Sequence, residues 1–381
     1  AQDMAVQALD MAQGRGGDQA AEMTPDGFTF YGGVSHGVEK RSKVRSRIVA
    51  DQLVKLIKEA DHVVIMGHRM SDLDAIGAAE GVLRICKICD VPAVIAVKRD
   101  ATLAGSLIDA LCRAGQKDDF IDPKDALPIS SKRTLCVVVD TYQVGLVESK
   151  EILEKCGKVA VIDHHRKGVG YIQNPDLVCH EPYSSSASEL VTELLQYVGD
   201  RDDKPNRVEA EGLLSGILLD TQDFTLHTGV RTFEAAAALR RYGAETERVR
   251  QLFDVTMVEY AAKAELVERA RMYRNCAISV GGEIAPEARV AIAQAANDLL
   301  RIQGVDASFV AVQVGTGVNI SARSLGAVNV QVIMEALGGG GHQTMAAAQL
   351  KHITPEAARS RIETAIDNYW ASQKKSGAEE K

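Results

Sequence analysis

The sequence contains no apolar run near the ~18 consecutive residues typical of a membrane-spanning helix, and it has no excess of basic residues. Asp3, Asp10 and Asp18 interrupt the N-terminal stretch, which excludes the apolar core of a signal peptide. Lys and Arg number 44 against 52 Asp and Glu, a net charge of −8, and this excludes a chain-wide footprint for long nucleic acids. Because the chain opens with Ala1, we expect it to be a piece of a longer protein, and the missing membrane segment describes only that piece.

Cysteine is also sparse, since the seven residues are odd in number and scattered along 381 positions. We interpret them as small buried hydrophobes in a reducing compartment rather than as a disulfide framework. Cys86 and Cys89 form a CxxC pair, but no second pair completes a zinc site. The length predicts two or three domains, and 46% hydrophobic with 25% charged residues is typical of a globular protein.

The order of apolar and amphipathic segments predicts an α/β protein. Short apolar runs at 63–66, 135–139 and 159–162 alternate with amphipathic segments at 74–89 and 185–198, which favours a mainly parallel, doubly wound sheet. A smaller α/β unit is predicted near the C-terminus. Its expected elements are a strand at 288–293, a helix at 294–303, a hairpin at 308–323 turning at 315–317, and a helix at 328–337.

Each of the three apolar runs ends in acidic or imidazole side chains. The residues concerned are His68, Asp72 and Asp74 after the first run, Asp140 after the second, and Asp163, His164 and His165 at the third. A fourth run, at 213–219, leads into Asp220, and its spacing suits a helix as well as a strand. Because ligands bind at the carboxyl ends of parallel strands, we expect these side chains to meet in one place.

So many neighbouring carboxylates cannot all ionise without cations. Carboxylates mixed with imidazoles suit Mn²⁺ or Mg²⁺, and less well Fe²⁺ or Zn²⁺, and the number of ligands is enough for a two-metal hydrolytic site. Taken singly, each residue has a simpler interpretation, since Asp72 could cap the helix that starts near Ala75 and His68 could be a core histidine. The coincidence of four such segments favours the metal site.

The motifs resemble those of the DHH phosphoesterase superfamily, in the same order. The matches are GHxxxDxD at 67–74, Asp140, DHH at 163–165 and Asp220-Thr221. That superfamily includes single-strand exonucleases, oligoribonucleases, family II inorganic pyrophosphatases and cyclic-dinucleotide phosphodiesterases. The GGGGH segment at 338–342, which follows Arg323 along the chain, resembles the DHH-associated domain, whose glycine-rich loop binds nucleotide.

The N-terminal segments indicate one branch of that superfamily. Residues 8–20 are similar to the last helix and turn of a degenerate GGDEF domain, and 30–33 and 38–45 resemble its connector to a DHH domain. The resemblance to GdpP-type cyclic-di-AMP phosphodiesterases therefore covers essentially the whole chain. In that family two membrane helices, a PAS-like sensor and the rest of the GGDEF domain lie upstream. The resemblance implies a cytoplasmic chain whose full-length parent is anchored in the bacterial cell membrane.

The resemblance also implies a domain division, with the active site in the cleft between the two main domains. The predicted parts are a GGDEF remnant at 1–30, a linker helix at 31–60, a DHH catalytic domain at 61–235, a helical connector at 236–285, a DHH-associated substrate-binding domain at 286–372 and a tail at 373–381.

The same resemblance implies roles for individual residues. One metal would be held by His68, Asp72 and Asp140, and the other by Asp74, Asp140, His164 and Asp220. In catalysis, His165 would orient or donate to a phosphate oxygen, and Asp163 would fix an imidazole. The substrate-binding residues would be Arg323, Gly338, Gly339, Gly340, Gly341 and His342. Two Mn²⁺, with Mg²⁺, Fe²⁺ or Co²⁺ as substitutes, would activate a bridging water to cleave cyclic-di-AMP to linear pApA.

Two alternatives stay open: an oligoribonuclease or exonuclease of the same superfamily, and a non-catalytic cyclic-dinucleotide sensor. The implied partner is a cyclic dinucleotide, with no long nucleic acid and no membrane contact by this piece, and a linker helix is compatible with a homodimer. His227 stands where the resemblance implies an arginine in many relatives, and if that position contacts phosphate, the affinity or the preference among dinucleotides is in doubt. The serines within 182–189 suit either substrate contact or helix capping.

Overall fold

The computed structural model describes residues 5, 8, 9 and 12 and the ranges 19–24, 27–32, 43–165, 170–200, 203–283, 290–341 and 343–379. The chain divides into two compact units, Ala1–Phe253 and Asp254–Lys381. Within the described ranges, no helix is both long enough and apolar enough to cross a bilayer.

The first unit is built on a parallel sheet, preceded by a small antiparallel hairpin of β1 (Gln19–Thr24) and β2 (Gly27–Gly32). The sheet strands are β3 (His62–Met66), β4 (Ala93–Ala96), β5 (Phe120–Ile121), β6 (Thr134–Val139), β7 (Lys158–Asp163) and β8 (Leu177–His180). They lie in the order β5-β4-β3-β6-β7-β8, and every pair is parallel. The predicted α/β class with a mainly parallel, doubly wound sheet is confirmed.

Helices cover both faces of this sheet. They are α1 (Lys43–Glu59), α2 (Leu73–Ile88), α3 (Gly105–Leu111), α4 (Pro123–Ile129), α5 (Lys150–Lys155), α6 (Ala187–Leu195), α7 (Arg207–Thr221), α8 (Val230–Arg241) and α9 (Thr246–Gln251). Alternate strand residues face opposite cores. Ile65 packs with α2, α6 and α7, whereas Val64 packs with α4 and α5. Burial on both faces explains the uninterrupted apolar runs of the sequence.

Two glycines allow α2 and α7 to approach closely. A Cβ on Gly77 of α2 would lie 2.5 Å from the carbonyl oxygen of Gly212 on α7. A Cβ on Gly216 would lie 2.8 Å from the Cα of Asp74. Contacts this short are not available to a residue with a side chain, so these two positions bring the helix carrying Asp220 against the helix carrying Asp74.

The second unit has its own mixed sheet. Its elements are α10 (Met257–Glu268), β9 (Arg271–Tyr273), β10 (Cys276–Glu283), α11 (Val290–Leu299), β11 (Ala307–Val314), β12 (Gly317–Ser324), α12 (Val330–Glu335), β13 (Gly340–Gly341), β14 (Met345–Lys351) and α13 (Pro355–Glu379). The strand order is β13-β14-β12-β11-β10-β9, in which only the β10–β11 pair is parallel. Phe309 is fully buried in its core.

Several elements of the second unit differ from prediction. The strand predicted at 288–293 is wrong, because α11 begins at Val290 and buries Ala291, Ala295 and Leu299 at helical spacing. The helical connector predicted at 236–285 is wrong over 271–283, where β9 and β10 join the sheet. The hairpin turning near Gly315 and the helix that follows it are confirmed.

At the two ends of the chain, the described elements cover only part of the predicted segments. Of the predicted GGDEF remnant, the structure describes residues 5, 8, 9 and 12 and the strands β1 and β2, and the rest lies outside the described residues. The predicted linker helix is found at Lys43–Glu59. At the other end, α13 continues through the predicted tail as far as Glu379.

Candidate metal centre

The candidate site lies where the strand order of the parallel sheet reverses, between β3 and β6. The loop after β3 carries His68, and Asp140 directly follows β6. Nε2 of His68 lies 3.4 Å from Oδ2 of Asp140 and 3.8 Å from Oδ1 of Asp72. A reversal of this kind leaves a crevice at the carboxyl ends of the strands, so the sheet topology itself places these side chains together.

A second group of side chains shares Asp140 with the first. Nε2 of His164 lies 3.0 Å from Oδ2 of Asp220, 3.3 Å from Oδ1 of Asp140 and 3.8 Å from Oδ2 of Asp74. Within each group, one ligand atom from every member lies within 4.8 Å of the others. Two of the three groups that meet this criterion are the predicted ligand sets, which are His68, Asp72 and Asp140, and Asp74, Asp140, His164 and Asp220; the third is Asp140, His164 and His165. The structure therefore brings together all six predicted metal-binding residues, with Asp140 common to both groups.

Asp140 occupies a strained backbone position. Its φ is 58°, in the left-handed region that costs a non-glycine residue roughly 1 kcal/mol or more. Its N–H donates to the carbonyl of Ile162 on the neighbouring strand at 2.9 Å, which holds the turn in place. The carboxylate is buried between His68 and His164. Strain at the residue common to both groups is typical of a functional site.

Asp72 combines the two roles that the sequence left as alternatives. Its Oδ1 caps α2 by accepting N–H groups from Asp74 at 3.0 Å and from Ala75 at 3.1 Å. The same carboxylate belongs to the group around His68. A carboxylate offers about four lone-pair sites, so capping does not exclude metal binding.

Asp74 is fully buried and ties two helices together. Its Oδ2 accepts the N–H of Ala187 at 2.7 Å, and its Oδ1 accepts the N–H of Ser188 at 2.8 Å, both in the first turn of α6. Burial, together with the charges of Asp140 and Asp220, raises the pKa of this carboxyl above its ordinary value. The partial positive charge at the N-terminus of α6 opposes this increase in the pKa of Asp74, because it stabilises the ionised carboxylate.

The serines before α6 serve the helix cap. Oγ of Ser186 accepts the N–H of Glu189 at 3.0 Å, and Ser184 and Ser185 donate to the Glu189 carboxylate. These hydroxyls are buried. The structure therefore favours the capping interpretation of this segment over substrate contact.

The histidines and acids balance each other's charge. Burial opposes protonation of His68, but its contacts with Asp140 and Asp72 outweigh that effect and raise its pKa to about 11. The pKa of His164 is likewise raised, because contacts with Asp140 and Asp220 outweigh burial. The pKa of Asp140 is lowered, since the two imidazoles outweigh the opposing effect of burial. A divalent cation bound here would displace imidazole protons, because a histidine binds a metal through a neutral ring nitrogen.

Two buried atoms test whether a cation fits this site. Oδ1 of Asp140 and Nε2 of His164 lie 3.3 Å apart, and neither has a hydrogen-bond partner within the described ranges. Buried polar atoms are almost always paired. Two unpaired ligand atoms beside Asp74 and Asp220 are the arrangement that a divalent cation would satisfy, so the residues present fit one.

His165 is placed differently from His164. Its Nδ1 lies 2.9 Å from Oδ1 of Asp163 and 3.5 Å from Oδ1 of Asp140, and its N–H donates to the same Asp163 oxygen at 3.2 Å. A neighbour missed by the sequence reasoning is His180, whose Nε2 hydrogen-bonds the carbonyl of His165 at 2.5 Å. His180 ends the apolar run of β8, so the strand-end rule applied to the other runs would have found it.

The predicted substrate-binding residues belong to the second unit. Nη1 of Arg323, on β12, donates to Oγ of Ser321 at 3.1 Å, while its buried Nε has no hydrogen-bond partner in the described part of the chain. Burial lowers the pKa of this guanidinium. Gly340 and Gly341 form β13 against β14. His342 lies outside the described residues.

Glycine is required in that loop by close backbone approach. Gly338 has a φ of 79°, and Gly341 has a φ of 149°. A Cβ on Gly339 would overlap the carbonyl of Ala347. Gly339 and Gly341 are thus explained by close packing of the loop against β14, and the phosphate-binding role of this segment stays a prediction.

Comparison with known proteins agrees with this arrangement. The chain is 45% identical over 377 residues to cyclic-di-AMP phosphodiesterase GdpP from Geobacillus thermodenitrificans (strain NG80-2), covering 97% of this chain and 57% of the relative. It is 41% identical over 377 residues to cyclic-di-AMP phosphodiesterase PdeA from Listeria monocytogenes serotype 1/2a (strain 10403S), with the same coverage. The chain thus spans a little over half the length of these curated relatives.

The fold has a solved counterpart. The crystal structure of an exopolyphosphatase-related protein from Bacteroides fragilis matches with a TM-score of 0.72 at 20% identity, over 85% of this chain and 96% of that one. The family model for the DHH family, N-terminal domain, matches residues 62–217, and the model for the DHHA1 domain matches residues 285–371. The chain therefore contains a DHH N-terminal domain followed by a DHHA1 domain.

Proposed function

We propose that this chain is a metal-dependent phosphodiesterase that hydrolyses cyclic-di-AMP to linear pApA. The observation that carries the proposal is the position of Asp140, whose carboxylate belongs to both ligand groups. Relatives that match 97% of the chain bear the name cyclic-di-AMP phosphodiesterase, which supports the choice of substrate.

Two divalent cations would be held by the two groups that share Asp140. When bound, they would supply Lewis acidity, which lowers the pKa of a water and offsets charge that builds up on a phosphoryl group. The mixture of imidazole and carboxylate donors favours Mn²⁺, with Mg²⁺, Fe²⁺ or Co²⁺ as substitutes. The chain's own contribution is to hold these donors together at one edge of the sheet, in the segments after β3, β6 and β7 and on helices α2 and α7.

His165 is proposed to orient the reacting phosphate and to donate to one of its oxygens. Asp163 accepts from Nδ1 and fixes the orientation of the imidazole, which supports a positioning role for this pair. The side chain of His165 is 39% exposed, compared with 13% for His164. An accessible imidazole beside a buried one supports a division between substrate contact and metal binding.

Arg323, the glycines at 338–341 and His342 are proposed to hold the distal phosphate or adenine of the dinucleotide. The unpaired Nε of Arg323 and the strained glycine loop support this role. We further propose that the chain works in the cytosol as part of a longer, membrane-anchored protein, and a homodimer is compatible with its linker helix.

The test is incubation of the purified chain with Mn²⁺ and cyclic-di-AMP, cyclic-di-GMP or pApA, with products resolved by chromatography. The proposal expects conversion of cyclic-di-AMP to pApA, faster than cleavage of pApA itself. Faster cleavage of pApA would instead identify an oligoribonuclease. Tight binding of cyclic-di-AMP without turnover would identify a sensor. Either result contradicts the proposal.

A further inference from the structure

A cavity of about 500 Å³ opens in the first unit at the N-terminal end of α7, among α3, α7 and α9. It is separate from the metal centre, because the last α7 residue that lines the cavity is Glu211, whereas α7 reaches the centre only at Asp220. Those residues are 9 positions apart, which corresponds to roughly 14 Å along a helix. A volume in this range is typical of small-molecule sites.

Three arginines line this cavity: Arg113, Arg207 and Arg248. Two of them are steadied by neighbouring acids, since Arg207 donates to Glu211 at 3.2 Å and Arg248 donates to Glu245 at 2.9 Å. Arg113 makes no hydrogen bond or ion pair with any residue that the structure describes. Each guanidinium has five N–H donors, so all three retain donors for an anion.

The segment that carries Arg113 closes α3. Residues Cys112–Gln116 form its last turn, in which Gly115 has a φ of 97°, the left-handed conformation that commonly ends a helix. Arg113 and Ala114 of this turn line the cavity.

The other lining residues indicate what accompanies the anionic group. Ala110, Val208 and Leu252 supply an aliphatic wall, while Asp109 and Glu211 supply carboxylates that can accept hydroxyl groups. An anion alone would not need an aliphatic wall or acceptors for hydroxyls. Three guanidiniums match two adjacent phosphates better than one, since guanidinium groups pair with phosphate oxygens two at a time.

From these features we propose that the cavity is a second ligand site, which binds a nucleoside diphosphate without a metal ion. The guanidiniums hold the diphosphate, the carboxylates accept the ribose hydroxyls and the base lies on the aliphatic wall. The site is independent of the proposed hydrolytic function, because none of its residues belongs to the metal centre.

The test is calorimetric titration of ADP into the full chain in excess EDTA, which leaves the metal centre without cations. We expect saturable binding that weakens at least tenfold in Arg113→Ala and in Arg248→Ala. Arg250→Ala is the matched control, because Arg250 is exposed on the same helix as Arg248 but does not line the cavity. Far-UV circular dichroism and urea midpoints establish that each variant is folded.

Other arms of the titration separate the sources of affinity. AMP and inorganic pyrophosphate should each bind more weakly than ADP. If AMP binds as tightly as ADP, the site does not recognise a diphosphate. If pyrophosphate binds as tightly as ADP, the site does not recognise a nucleoside. The proposal fails if ADP does not bind, or if Arg113→Ala binds it like the unchanged chain. It also fails if Arg323→Ala abolishes binding, since ADP would then occupy the proposed substrate site.

Discussion

Gly216 on α7 packs directly against Asp74 on α2, where a Cβ on Gly216 would lie 2.8 Å from the Asp74 Cα and 2.6 Å from its Oδ1. The helix that carries Asp220 can therefore reach the helix that carries Asp74 only because this position has no side chain. The position of Asp220 in the second ligand group therefore depends on Gly216, which is not itself a ligand.

Gly216→Ala should push the two helices apart and weaken Mn²⁺ binding at least tenfold. Overpacking of this kind also costs about 1–3 kcal/mol in the free energy of unfolding. The matched control is Gly212→Ala on the same helix, because its Cβ would meet only the flexible end of Leu107 at 3.1 Å. Calorimetric Mn²⁺ titration and urea unfolding measure the two effects. Equal Mn²⁺ affinity in the two variants would contradict this explanation.

Ser186→Ala tests the capping interpretation of the segment before α6. The loss of an N-cap hydroxyl should lower the free energy of unfolding by about 1 kcal/mol. The KM for cyclic-di-AMP should stay unchanged, because the hydroxyl is buried and accepts from Glu189. Urea unfolding and steady-state kinetics give the two values. A raised KM with an unchanged free energy of unfolding would contradict the capping role and indicate that Ser186 contacts substrate.

His164→Ala and His165→Ala should separate metal binding from substrate contact. His164 belongs to the four-residue group with Asp74, Asp140 and Asp220, so its loss should reduce the number of Mn²⁺ bound per chain. His165→Ala should keep both ions and lower kcat about 100-fold, the lower range for a lost proton donor. Bound Mn²⁺ is counted by elemental analysis after desalting. A reduced count in His165→Ala would make His165 a ligand instead.

Glu80→Gln should flatten the dependence of stability on pH. Glu80 on α2 is buried beside Glu209 and hydrogen-bonds Gln116, and burial together with the Glu209 charge raises its pKa to about 8 from 4.5. Between those pH values the folded chain holds a proton that the unfolded chain releases. The free energy of unfolding therefore falls as pH rises, by up to about 1.4 kcal/mol per pH unit.

Glu80→Gln has no such proton to lose, so its free energy of unfolding should not fall in this way. The free energy of unfolding of Glu80→Gln minus that of the unchanged chain should therefore increase from pH 5.5 to pH 7.5. Urea midpoints at several pH values check this. Glu154→Gln, at an exposed position of α5, is the control and should follow the unchanged chain. A constant difference between Glu80→Gln and the unchanged chain across this window would show that Glu80 does not hold the proton.

Much of the site was predictable because its ligands follow buried strands. The runs at β3, β6 and β7 are uninterrupted, and a parallel sheet brings their carboxyl ends together whatever the loops do. Asp220 was found through its position after an apolar run, although the structure makes that run a helix, because Leu213, Gly216 and Ile217 face α2 at helical spacing. Periodicity alone could not distinguish the two.

The parts that sequence could not provide depend on tertiary packing. The sequence of the apolar segment at 288–293 is compatible with a strand or a helix. In the structure, β10 occupies the position next to β11 in the sheet, so this segment does not pair there as a strand. The side-chain amide of Gln116 donates to both Glu80 and Glu209. These residues are 36 and 93 positions away from Gln116 in the sequence. No local pattern predicts contacts of that range.

The number of Mn²⁺ ions bound per chain, measured together with cyclic-di-AMP turnover, tests the central claim that one carboxylate serves two cations. The unchanged chain should bind two Mn²⁺ and release linear pApA. Asp140→Ala, which removes the residue common to both groups, should bind fewer than two and show no turnover. If Asp140→Ala retains two Mn²⁺ or hydrolyses cyclic-di-AMP like the unchanged chain, the shared-ligand account is wrong.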